Sequence, residues 1–308
     1  MRNTQKIDAN NCSNVIAWQG WELRVPQDWR PLEIAGDYKR GKMMIGNAEI
    51  PVVQIKWWRP EEKEFYDYEW IAARIRKLKA LPSDNPPRPP GFSNTGWVKD
   101  LEFKENISKT IWYGYAKSAG VMMELVMTSI ADSSIRKMVV SKILPNLKVY
   151  RRDEETRWAL YNVSYRIPSG WILSRKHLYS GDIALEFTNS ENKSLLVVRQ
   201  VYPAELALSR RSMEQWLENP VFRTRRKFHI DADTKYRFAE KRFDRALLRK
   251  GKLRVAFPLA WLKPLCYDAM IAVDSNLDRL YIAEVVSKSE TDSSLLEEIV
   301  LKMNDIDY

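Results

Sequence analysis

The chain has 308 residues, 45% of them apolar and 29% charged, a composition that fits two globular domains of ordinary size and excludes a disordered chain. Two cysteines (Cys12 and Cys266) and two histidines (His177 and His229), all far apart, exclude a disulfide scaffold and a closely spaced metal site. A net charge of +10 favours acidic partners, whether nucleic acid, anionic lipid or an acidic protein.

Residues 1–14 are polar, with no apolar stretch of the kind a secretory signal needs, and no run approaches the ~18 apolar residues of a membrane span. The expected setting is therefore the cytoplasm.

Residues 15–25 read as a first strand region, with Trp18, Trp21, Leu23 and Val25 at partial period-2 spacing. Pro26 stops the ladder because it has no N–H to donate, and Trp29 is expected to fold back onto the core. Strands follow at 43–45 and 52–58, where Val53, Ile55 and Trp57 alternate with Gln54, Lys56 and Trp58. Residues 65–81 change to the helical period through Tyr66, Trp70, Ala73, Lys77 and Leu81. Glu61, Glu62 and Glu64 precede this helix, and Arg74, Arg76, Lys77 and Lys79 crowd its end, both suited to the helix dipole. Pro82 ends it, and the proline-rich run 81–91 reads as an extended loop inside the first half rather than a polyproline ligand. Residues 110–118 and 121–129 form a hairpin around Ser118-Ala119-Gly120. Asp132-Ser133-Ser134 then caps a helix carrying Ile135, Val139, Ile143 and Leu147, which Pro145 limits near Leu144.

The seam between halves is expected at 146–157, giving domains 1–150 and 151–308, and the order of elements then repeats. Tyr161, Val163, Tyr165 and Ile167 alternate before Pro168, with strands at 183–187 and 195–201. A helix after Pro203 carries Leu206, Met213, Trp216 and Leu217. A hairpin joins 269–273 to 279–287, and Asp292-Ser293-Ser294 caps a last helix with Leu295, Leu296, Ile299 and Met303. Val25-Pro26-Gln27-Asp28-Trp29 and Ile167-Pro168-Ser169-Gly170-Trp171 stand 142 residues apart (168 − 26 = 171 − 29 = 142). The Asp-Ser-Ser caps stand 160 apart (292 − 132 = 160). The pattern predicts a tandem duplication whose second copy carries extra residues.

On those two Pro-x-x-Trp runs and the two closing Asp-Ser-Ser helices, the chain resembles the PsbP-like fold, shared by the photosystem PsbP subunit and a Ran-binding nuclear import factor. The resemblance implies an α+β architecture of two tandem PsbP-like halves, each an antiparallel sheet packed with helices. It also implies a non-catalytic binding or assembly role, by analogy of fold only. No Ran-binding or photosystem motif is matched.

The residues themselves offer no catalytic set and imply no cofactor. No Gly-x-Ser-x-Gly elbow, phosphate-binding glycine loop or Gly-x-Gly-x-x-Gly occurs. The charge is uneven instead. Residues 221–254 carry 13 Lys and Arg against Asp231, Asp233, Glu240 and Asp244, a net +9. The corresponding first-half stretch, 81–110, balances four basic residues with four acids. Arg237, Lys241, Arg245 and Arg249, spaced by four, fall on one face of either a strand or a helix, and the repeat favours strands. They are the candidate docking residues for a protein or other anionic partner. A nucleic-acid binder using 223–254, with Tyr236, Phe238 and Phe243 as stacking groups, is the alternative. A hydrolase or transferase with an unrecognised site is the third reading, which a pocket holding His229 with a carboxylate would favour.

Elemental analysis of the purified protein after a chelator wash is expected to show no stoichiometric zinc or iron. One equivalent of either metal would overturn the reading of the cysteines and histidines.

Overall fold

The computed structural model describes residues 12–48, 50–60, 68–103, 107–127, 133–189, 191, 193–219, 221–222, 228–238, 243–255, 265–289 and 294–303. The chain divides into two compact units, Met1–Asn162 and Val163–Tyr308. The first unit runs beyond residue 150 because strand β10 (Thr156–Leu160) pairs antiparallel with β1 (Asn14–Trp18), Ala159 opposite Ala17.

In the first unit β1 turns into β2 (Trp21–Val25) through Gln19 and Gly20, both at positive φ (50° and 82°). Two consecutive left-handed residues make the tight reversal that a hairpin needs, so the strand region expected at 15–25 is two strands. Then come β3 (Arg30–Gly36), β4 (Arg40–Gly46), β5 (Pro51–Trp58), helix α1 (Tyr68–Lys77), β6 (Asn94–Phe103), β7 (Ile107–Ala116) and β8 (Val121–Met127). Helix α2 (Ser133–Met138) continues into a π-helical turn (Val139–Ile143) and a 3-10 turn (Leu144–Asn146) that carries Pro145, before the short β9 (Lys148–Val149).

Strands β3 to β8 form one antiparallel sheet in the order β3-β4-β5-β8-β7-β6. Period 2 divides β5 as the sequence pattern requires. Val53, Ile55 and Trp57 are buried, and Gln54, Lys56 and Trp58 turn to the other face. The Trp57 ring meets Trp21 of the β1–β2 hairpin at 5.9 Å. On the Lys56 face, α1 packs Ile71 and Ile75 against Val98, Ile111, Tyr113 and Met122. Gly96 permits that approach, because a Cβ there would lie 2.6 Å from Ile71 Cγ2.

The proline-rich run is bound to its own unit: Trp97 Nε1 donates to the Asp84 carbonyl at 2.9 Å and Trp112 Nε1 to the Pro87 carbonyl at 2.8 Å. Two of its backbone acceptors are thus occupied from within.

The second unit opens with β11 (Val163–Ile167), preceded by Tyr161 and Asn162 at positive φ (51° and 63°), the positions 142 residues after Gln19 and Gly20 (161 − 19 = 162 − 20 = 142). It continues with β12 (Trp171–Tyr179), β13 (Asp182–Asn189), β14 (Ser194–Val201), α3 (Ala204–Arg210), α4 (Met213–Glu218), β15 (Phe228–Phe238), β16 (Arg245–Val255), β17 (Leu265–Asp274), β18 (Arg279–Ser287) and α5 (Ser294–Leu301). The sheet order is β12-β13-β14-β18-β17-β16-β15, which is the first sheet's order with one strand added at the edge. Even the irregularities correspond. The edge strand slips register between Pro31 and Glu33 in the first sheet and between Leu173 and Arg175 in the second (173 − 31 = 175 − 33 = 142).

The α+β expectation, an antiparallel sheet packed with helices in each half, does not hold: the protein is mostly β. Among the described residues about 52% are strand and 19% helix. The five α-helices among the described residues span 6 to 10 residues each, too short to cover sheets of six and seven strands. Long stretches that carry a helical apolar period, such as 135–147, break into short α, π and 3-10 turns. Other strands, among them β3, β6 and β12, lack a clean alternation and emerge only from pairing.

The two repeat tryptophans stand at equivalent places, Trp29 just before β3 and Trp171 as the first residue of β12, but they differ in burial. Trp29 is 1% exposed and its backbone is held on both sides, N–H to the Pro26 carbonyl (3.0 Å) and carbonyl to Asn14 Nδ2 (2.6 Å). Trp171 is only partly buried. Trp29→Ala is expected to cost about 3–5 kcal/mol, and Trp171→Ala about 1–2 kcal/mol, in urea unfolding followed by circular dichroism. Equal losses would contradict the burial.

Candidate anion-binding cleft

Of the four cations expected to form one stripe, Arg237, Arg245 and Arg249 lie in described strands. Arg237 lies in β15 with its backbone opposite Leu247 of β16. Lys241 lies outside the described residues, as do most of the flanking basic positions 223–227 and 239–242. Arg245 is exposed at the start of β16, opposite Val273. Arg249 shares its face of the strand but is only 7% exposed, because α4 overlies this face and packs Leu217 beside Leu247 and Leu253. Its guanidinium pairs with Glu218 at 3.6 Å. Arg249 is thus a largely buried cation paired with an acid. Of the stacking candidates, Phe243 is buried edge-on against Tyr281 at 6.0 Å, and Tyr236 and Phe238 belong to β15.

An open basic region is present in the first unit, where the sequence suggested none. Beside α1, two adjoining cavities of about 330 and 500 Å3 open over the Lys56 face of the sheet and share Lys56, Arg74 and Glu124. Six cationic side chains line them: Arg40 and Lys42 from β4, Lys56 from β5, Arg74 and Lys77 from α1, and Lys109 from β7. Glu124, from β8, is the one acid among the described lining residues. The clustering follows from register. Lys42 stands opposite Lys56, Lys56 opposite Glu124, and Glu124 opposite Tyr113, so four strands align these groups in one row. Helix α1 adds Arg74 and Lys77 because its apolar side, Ile71 and Ile75, is turned down onto the sheet.

Lys56 and Lys42 are partly offset. Lys56 Nζ donates to Glu124 Oε1 at 2.6 Å, and Lys42 pairs with Glu33 at 2.7 Å. Burial, reinforced by the Glu124 carboxylate, pushes the Tyr113 phenol well above its ordinary range, so it stays a neutral hydroxyl. Leu78, Ile111 and Val126 supply an apolar lining. Trp58 faces the larger cavity and meets Trp70 of α1 at 5.5 Å, tilted by 48°. The Arg74 guanidinium lies 4.8 Å from the Trp70 ring and 5.7 Å from the Trp58 ring. Cations, flat rings and apolar floor together suit binding of an anion that also carries an apolar or aromatic part.

The matching face of the second unit is chemically different. Glu284 accepts from the Tyr267 hydroxyl at 3.0 Å. Arg199 donates to both Asp182 oxygens (2.7 and 2.5 Å) and lies 4.7 Å from the Trp216 ring of α4. Arg175 meets Glu186 at 3.3 Å. There each of these cations has an acid within reach, and α3 and α4 occupy the space over the strands.

His177 lies 3.5 Å from Asp182, but that carboxylate already takes both Arg199 nitrogens. His229 lies in β15, its backbone opposite Arg254 of β16. Among the described residues no three His, Cys, Asp or Glu side chains gather as metal ligands, and no helix is long and apolar enough to cross a membrane.

No protein-family model matches this chain, and no curated protein matches it either.

Arg249→Glu is expected to destabilise the protein by about 3 kcal/mol, because it leaves a second acid beside Glu218 under α4. Arg245→Glu, exposed, should stay within about 0.5 kcal/mol of the parent. Urea titrations of the two variants check this, and equal midpoints would contradict the burial of Arg249.

Proposed function

We propose that this protein is a non-enzymatic binding or assembly module whose partner is anionic and engages the cleft of the first unit. One observation carries the reading: six cationic side chains against one acid around two adjoining cavities. A cleft lined by one sign of charge concentrates the field between low-dielectric walls and raises the local concentration of an oppositely charged partner. The second unit supports the choice by contrast, since Arg199, Arg249 and Arg175 there are matched by Asp182, Glu218 and Glu186. Within the cleft, Tyr113 stays a protonated hydroxyl and Lys56 Nζ is held by Glu124. Binding rather than proton transfer is what this set of groups does well.

The test uses two fluorescent polyanions, an oligoglutamate and a single-stranded oligonucleotide, titrated with the full chain and followed by anisotropy. At least one should bind, and more weakly as salt rises from about 50 to about 200 mM. Lys77→Glu with Lys109→Glu should reduce that binding at least tenfold while the thermal midpoint moves little. Absence of binding to both probes, or equal binding by parent and double variant, would sink the assignment.

A further inference from the structure

The groups within the cleft narrow the chemistry of its anionic partner, provided that the cleft is the binding surface proposed above. The charged groups are spread out rather than gathered on a point. Lys42, Lys56, Glu124 and Lys109 belong to the consecutive strands β4, β5, β8 and β7. Three strand spacings of ~4.8 Å put Lys42 and Lys109 at least about 14 Å apart. One phosphate or carboxylate cannot engage both ends, whereas an extended chain bearing repeated anions can.

The single acid lies in the middle of the row, on the sheet floor, with its side chain 14% exposed. Arg74 and Lys77 stand exposed above it on α1. Anionic groups of a ligand are therefore drawn to Arg74, Lys77 and Lys109 and repelled from the Glu124 carboxylate itself. What the floor offers is different: the half-buried Trp58 indole, apolar surface from Leu78, Ile111 and Val126, and polar edges at Gln54 and Glu124. Flat rings stack on an indole face, and carboxylate and amide side chains pair with the edges of bases, a carboxylate accepting from an exocyclic amino group. An acidic peptide supplies the anions but no flat, uncharged ring to occupy the floor. A single nucleic-acid strand alternates the two.

We propose that the first-unit cleft binds single-stranded nucleic acid, with a base stacked on Trp58 and backbone phosphates along Arg74, Lys77 and Lys109. A duplex is excluded from this mode because its bases are already stacked on each other.

The experiment measures anisotropy of a labelled thymidine or cytidine oligonucleotide of roughly a dozen nucleotides, with competition by the duplex form, the mononucleotide and an oligoglutamate. The strand should bind at least tenfold tighter than each competitor. Trp58→Leu should weaken the strand by roughly tenfold and Trp58→Phe much less, since base–aromatic stacking contributes about 1–3 kcal/mol. Lys109→Ala, which leaves the core untouched, should lower the slope of log affinity against log salt by ~0.7. That variant keeps the test decisive if Trp58→Leu does not fold.

Oligoglutamate binding as tightly as the strand, with Trp58→Leu unchanged, would overturn the nucleic-acid assignment and leave the anionic cleft standing. Equal affinity for the mononucleotide or the duplex would also overturn it. Failure of every probe would overturn the cleft and the nucleic acid together.

Discussion

The first unit depends on the pairing of β5 with β8. Val53 to Trp58 run against Met122 to Met127, so segments about 70 residues apart in the chain become neighbours at the sheet centre. On one side of this seam lies the β3-β4-β5 meander, and on the other the β8-β7-β6 meander. Everything between β5 and β6, namely α1 and the proline-rich loop, must then cross a face of the sheet. The second unit is joined the same way, β14 against β18, with α3 and α4 in the crossing connection. Such a non-local ladder costs loop-closure entropy, which grows only slowly with loop length. The long connections are therefore tolerated, and they are where the two units differ most.

Register at that seam also decides which residues meet solvent. A slip of one residue in β5 would put Val53, Ile55 and Trp57 where Gln54, Lys56 and Trp58 now stand. The buried set, with Trp57 against Trp21, opposes the slip. The same constraint lays Lys42, Lys56, Glu124 and Tyr113 in one row, although they come from strands far apart in sequence. The cleft is thus a by-product of core packing on the other face.

The two units use one sheet order for opposite chemistry. A tyrosine–glutamate contact is present on each sheet, Tyr113 with Glu124 and Tyr267 with Glu284. Around the first the cations remain numerous and the space is open. Around the second, Asp182, Glu186 and Glu218 offset the arginines, and Trp216 and Leu217 close the space. Net charge along the chain runs the other way, because 221–254 holds +9. Charge counted along a sequence and charge presented in a cleft are different quantities, separated by burial and pairing.

Local pattern by itself determined a good part of the architecture: the β5 alternation, the α1 stripe, the β7–β8 and β17–β18 hairpins, and a repeat offset of 142 that recurs in turns and bulges. These are short-range properties, fixed by period, turn chemistry and proline within a dozen residues. The mostly-β character, the strands β3, β6 and β12, and the fate of Arg249 were decided only by tertiary structure. Strand formation at those positions comes from partners elsewhere in the chain, and a lone arginine in a basic run carries no mark that α4 will cover it. The cleft was equally unreadable. Arg40, Lys56, Arg74 and Lys109 lie in four separate elements with no common spacing, and only the sheet order, set by the β5–β8 ladder, brings them onto one face.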